Sequence, residues 1–166
     1  MKSISVYFDL DGTLFDLYGK HNWLEMLENE KAGAFATGRL MQNIDKERLL
    51  TVVAELANYG VKFNVITWLP MQASREYEEI CKAEKIAWVR ENLPFIDEIV
   101  CQSYGVPKQN GITKRTARMI LIDDNKEVCE TWETAKQRTF FNVTKEFSAV
   151  NALETILGKI VSGEWA

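Results

Sequence analysis

The chain is poor in the residues that most often carry a function on their own. Its 166 residues include one histidine, three cysteines and three prolines, with no excess of positive charge. No stretch approaches the roughly 20 apolar residues a membrane span needs, which argues against a membrane partner. The opening MKSISVYF lacks an apolar region followed by a small-residue cleavage site, so a cytoplasmic chain is expected. Cys81, Cys101 and Cys129 are odd in number and far apart, the pattern of free thiols. A formal charge of −4 and the lack of a long basic run argue against a nucleic-acid polymer as partner, and KRTAR at 114–118 reads as a solvated turn. His21, the single histidine, reads as a surface or packing residue. Pro70, Pro94 and Pro107 mark turns, and there is no repeat or low-complexity tract.

What remains is the make-up of a single domain spanning residues 1–166. Strand-like apolar runs recur at Ile4 to Phe8, Lys62 to Thr67, Glu98 to Gln102, Met119 to Ile122 and Thr139 to Val143. Segments of helical periodicity separate most of them, which predicts an α/β fold with a mostly parallel sheet covered on both faces. Leu49, Val52, Val53, Leu56 and Tyr59 share a helical face that ends at Gly60. Asn125 is placed to cap a helix carrying Val128, Trp132 and Ala135, and Val150, Leu153, Leu157 and Ile160 line a last one. Residues 15–44 break the alternation with HNWLEMLEN and then KAGAFATGR. About 30 residues are too few for a core of their own, so this insertion is expected to pack over the strand ends as a small lid.

The first strand runs into VYFDLDGTLFD, where strand alternation puts Asp9 and Asp11 on one face. At roughly 4 Å two carboxylates repel by about 1 kcal/mol in water and about 4 kcal/mol near a protein surface, so a compensating cation is needed. The other strands also end in polar groups: Thr67 in VITW, and Asp123 and Asp124 in MILIDDN. Ligands of open α/β sheets bind at those carboxyl ends. Lys108, in the turn expected after Pro107, is placed to supply positive charge, with Lys114 as its competitor. Trp23, Phe35 and Arg39 in the insertion, and Trp68 after the second strand, are candidates to border a substrate, with core packing as the plainer role of the rings.

At DLDGT, residues 9–13, the chain resembles the haloacid dehalogenase-like (HAD) phosphohydrolase superfamily. Thr67, Lys108 and the pair Asp123 and Asp124 follow in the order of its remaining motifs. The resemblance covers nearly the whole chain and implies a Rossmann-like fold and a Mg²⁺-dependent phosphatase acting on a small-molecule phosphate monoester. It implies Asp9 as the nucleophile that forms an aspartyl-phosphate, Asp11 as acid and base, and Thr67 and Lys108 as holders of the phosphoryl group. The metal set it implies is Asp9, Asp11 through its backbone carbonyl, and Asp123, with Asp124 orienting a metal-bound water or ligand. KIAWVRENLPFIDEIV before the lysine and LIDDN after it are also similar to the 5′(3′)-deoxyribonucleotidase branch. Trp68 replaces a small polar residue of that branch and the insertion is shorter than its helical cap, so the substrate class stays open between a nucleotide and another phosphorylated metabolite. A receiver-like phosphoacceptor would need a further aspartate two strands after Asp124, and none is there. A dehalogenase would have no use for Asp11. A non-catalytic binding module on the same scaffold is the remaining alternative.

Overall fold

A computed structural model describes residues 3–133 and 135–165 of the chain. Five parallel strands form one sheet: β1 (Ile4–Phe8), β2 (Lys62–Trp68), β3 (Glu98–Gln102), β4 (Arg118–Asp123) and β5 (Arg138–Asn142), in the spatial order β3-β2-β1-β4-β5. Each expected strand is present, with ends differing by about one residue, because buried apolar runs bounded by polar turns leave little freedom of register.

Parallel strands require crossovers, and the helices that make them divide between the two faces. Ile4, Val6 and Phe8 of β1 join a large core with α2 (Lys46–Asn58), α3 (Arg75–Asn92) and α5 (Ala149–Val161). Tyr7 points to the other face and packs with Ile66, Leu121, Cys129 and Trp132, the last two from α4 (Lys126–Trp132). The architecture is α/β and Rossmann-like, with no helix among the described residues long and apolar enough to cross a membrane.

Local signals explain where the helices begin and end. Asp45, Ser74, Asn125 and Ser148 cap the starts of α2, α3, α4 and α5, each accepting a backbone N–H. Gly60 follows α2 with φ 76°, as expected of a left-handed helix exit. Two sequence expectations are corrected at the helix ends. Ala135 lies beyond α4 and is exposed, and Tyr59 is 41% exposed, because the helices end at Trp132 and Asn58.

The insertion holds one short helix, α1 (Trp23–Glu28), followed by a run of turns. It is tied down by polar contacts rather than by a core of its own. The Lys20 ammonium donates to the carbonyls of Gly33, Ala34 and Thr37 at 2.7, 2.9 and 2.9 Å. From α3, Glu84 accepts the N–H groups of Gly33 and Phe35, the Tyr77 hydroxyl donates to the Lys31 carbonyl at 2.9 Å, and the Trp88 indole donates to Gly38. Phe15 and Phe35 are buried in the main core, with Phe15 edge-on to Trp88 at 4.8 Å.

Candidate active site

β1 and β4 are neighbours at the centre of the sheet, where the strand order reverses. Phe8 pairs with Ile122, and the Asp9 N–H donates to the Ile122 carbonyl at 2.9 Å. The register therefore places Asp9 and Asp123 side by side at the carboxyl ends, the position where open α/β sheets take their ligands.

Lys108 opens a short 3₁₀ turn, Lys108–Gly111, and reaches back between them. Its ammonium donates to Asp9 Oδ1 and, at 2.7 Å, to Asp123 Oδ2. All three residues are buried, so each charge depends on the others. Burial alone would push the Lys108 ammonium down, but the charges of Asp9 and Asp123 outweigh it and hold it above the ordinary lysine value. Asp123 is fixed on its other oxygen by the Asn125 N–H at 2.9 Å. Lys114, the competing candidate, is exposed and does not line the cleft. Its backbone carbonyl accepts the Tyr7 hydroxyl at 3.2 Å.

Asp124 stands at the cleft mouth, its backbone N–H held by the Thr13 hydroxyl at 3.1 Å. Oxygens of Asp9, Asp123 and Asp124 lie within 4.8 Å of one another. Gly12 makes this approach possible: at φ 82°, an added Cβ would lie 2.4 Å from an Asp124 oxygen. Burial first, then the neighbouring Asp9, push Asp123 up to about 6 and Asp124 up to about 7. Asp124 is exposed, so water screens part of that repulsion. Hard carboxylate oxygens at this spacing, carrying more charge than Lys108 neutralises, could hold a metal ion.

Asp11 has a separate partner. Its Oδ2 accepts from Lys85 on α3, whose side chain has no exposure, while Oδ1 is buried and has no hydrogen-bond partner among the described residues. Burial raises the Asp11 carboxyl above its ordinary value, against the pull of Lys85. Thr67 is fully buried and does not line the cleft. Its hydroxyl accepts from the Lys85 ammonium at 2.9 Å, and the same ammonium donates to the Trp68 carbonyl at 2.8 Å.

A cleft of about 570 Å³ opens over Asp9, Asp11, Lys108, Asp123 and Asp124. The insertion contributes Tyr18, Trp23 and Phe35 to its wall, and Trp68 and Tyr104 face them from the sheet side. The Trp68 and Tyr104 rings lie 5.0 Å apart, Tyr104 being 53% exposed. Arg39 does not line this cleft. It pairs with Asp16 at 3.1 Å. His21 is exposed and does not line it either. No protein-family model matches the chain, and no curated protein is similar enough to it to count as a match.

Lys85, Tyr18 and Tyr104 were not among the sequence candidates. For Lys85 a signal existed: Tyr77, Cys81, Lys85 and Trp88 recur at helical spacing along the buried face of α3, and one of these four core positions holds a lysine. A lysine in such a stripe needs an acid partner.

Proposed function

We propose that the chain is a Mg²⁺-dependent phosphohydrolase of the haloacid dehalogenase-like superfamily, cleaving phosphate monoesters through an aspartyl-phosphate on Asp9. The observation that carries this reading is the meeting of Asp9, Asp11, Asp123 and Lys108 in one cleft at the carboxyl ends of β1 and β4. Lys108 and Lys85 together offset two of the four carboxylates gathered here, and a purely structural salt-bridge cluster would have no need of the other two. Asp9, Asp123 and Asp124 would hold the Mg²⁺, which when bound supplies the positive charge that lets a phosphate dianion come up to Asp9.

The chain's own residues then divide the work. An oxygen of Asp9 bonds to phosphorus as the bond from phosphorus to the ester oxygen breaks, and Asp11 gives its proton to the departing oxygen. In the second half, Asp11 takes a proton from water and the water oxygen bonds to phosphorus. The acyl-phosphate bond then breaks, returning Asp9 and releasing inorganic phosphate. Burial raises the Asp11 carboxyl above its ordinary value, which favours the protonated form that an acid must have at the start of the reaction. Lys108 offsets the charge gathered around Asp9 as the phosphoryl group passes.

Within this class we read the substrate as a nucleoside monophosphate, a reading supported by the rings of Trp68, Tyr104 and Trp23 along the cleft. A base offers these rings a flat face to stack on, which a sugar phosphate does not. Turnover of a panel of nucleoside monophosphates, sugar phosphates and para-nitrophenyl phosphate, with Mg²⁺ and with chelator, tests both levels. No turnover of any ester would refute the hydrolase reading, and a preference for sugar phosphates would refute the nucleotide one.

A further inference from the structure

The ammonium of Lys85 is fully enclosed and fully used. A lysine has three N–H donors and no acceptor. Here they meet Asp11 Oδ2, Thr67 Oγ1 at 2.9 Å and the Trp68 carbonyl at 2.8 Å. The ring of Phe35 covers the ammonium at 4.3 Å. With no donor to spare and no exposure, Lys85 does not line the cleft and has nothing to offer a substrate.

Its one charged partner in the cleft is Asp11. Of the two Asp11 oxygens, Lys85 takes Oδ2, so the side chain cannot turn without breaking a charged hydrogen bond inside the protein. The oxygen left over, Oδ1, is the buried acceptor without a partner. A native structure rarely leaves a carboxylate oxygen so placed unless a further group comes to it.

We propose that Lys85 is a positioning residue: anchored by Thr67 and the Trp68 carbonyl, it holds Asp11 so that Oδ1 faces the leaving oxygen of the substrate. The chemistry assigned to Asp11 rests on the phosphohydrolase reading, whereas the placement of its carboxylate does not. Thr67 then serves the site from below, through Lys85.

The test compares two esters that differ in their need for an acid. The phenolate of para-nitrophenyl phosphate leaves with little help, while the alkoxide of glycerol phosphate must be protonated. Lys85→Met should lower kcat/KM for glycerol phosphate about tenfold or more beyond its effect on para-nitrophenyl phosphate, because only the acid-dependent part is lost. Thr67→Val, which keeps the ammonium with one acceptor fewer, should shift the same ratio in the same direction by less, and it carries the test if Lys85→Met does not fold. Equal losses on both esters would overturn the proposal, since damage to the fold or to Asp9 would not distinguish leaving groups. Crystal structures of wild type and variants give a reading independent of turnover. Asp11 should leave its position when its anchor is weakened, and an Asp11 that stays in place overturns the positioning role. A wild type that hydrolyses neither ester refutes the hydrolase reading alone, and the position of Asp11 still decides the role of Lys85.

Discussion

Lys108 and Asp123 meet at 2.7 Å at the carboxyl end of β4, and the same ammonium is bound by Asp9 from β1. One buried cation thus joins two strands. Lys108→Met leaves two buried carboxylates facing each other, a loss expected to cost about 3 to 5 kcal/mol. Unfolding by urea in the presence of chelator should show it. Millimolar Mg²⁺ should recover part of the loss, and a variant as stable as wild type in chelator would mean that the cluster is not held by this lysine.

Asp9→Asn should keep the fold and lose turnover. An amide cannot form the acyl-phosphate, whereas removing one of several crowded carboxylates relieves repulsion. Phosphate release should fall to the buffer background while the melting temperature holds or rises. Beryllofluoride should bind Asp9 in the native protein, and its appearance on another residue in a structure would contradict the assignment.

Mg²⁺ and protons compete for the same oxygens. Burial, reinforced by Asp9, raises Asp123 to about 6 and Asp124 to about 7, so the folded chain binds protons more tightly than the unfolded chain. In the metal-free protein these groups therefore favour folding below about pH 4, and that contribution is lost as the pH rises toward 7. The gain in melting temperature on adding Mg²⁺ should then be small at pH 5 and larger at pH 7.5. A gain that does not change with pH would place the ion elsewhere.

The three thiols should be quiet in the native protein. Burial pushes Cys81 up to about 11 and Cys129 up to about 12, and it raises Cys101 as well. At pH 8 almost no thiolate of Cys81 or Cys129 is present to react, and burial disfavours that of Cys101. Ellman's reagent should therefore titrate the three thiols only after denaturation, and rapid labelling of the folded chain would show that these helices and strands open readily.

Tyr104 offers the cleanest probe of the aromatic wall, since it is exposed whereas the Trp68 indole also bonds the Val106 carbonyl at 2.7 Å. Tyr104→Ala should reduce kcat/KM for nucleoside monophosphates by roughly 5- to 150-fold, the worth of one stacked base. It should leave para-nitrophenyl phosphate nearly unaffected. Equal losses on both would reduce the rings to general packing.

The sheet was legible because its strands are runs of buried apolar residues, and the acids because each closes such a run. Lys108 was legible through the turn after Pro107. Lys85 was legible only through its place in the stripe of Tyr77, Cys81 and Trp88, a signal masked by the many other charges of REYEEICKAEKIAWVREN. The buried place of Thr67 depends on its contact with Lys85, which the sequence does not show. Arg39 was read toward the substrate because the sequence does not reveal that Asp16 turns to meet it.

Helix α3 carries Lys85 on the same face as Tyr77, Glu84 and Trp88, which fasten the insertion. The outer wall of the cleft and the acid at its base are therefore mounted on one rigid beam. A substitution that moves the wall also moves Asp11, so on the phosphohydrolase reading selection on substrate shape is not independent of selection on rate. Tyr104, exposed and following β3, is outside that mounting. On the phosphohydrolase reading, substrate range is free to drift at Tyr104 while the chemistry stays where it is.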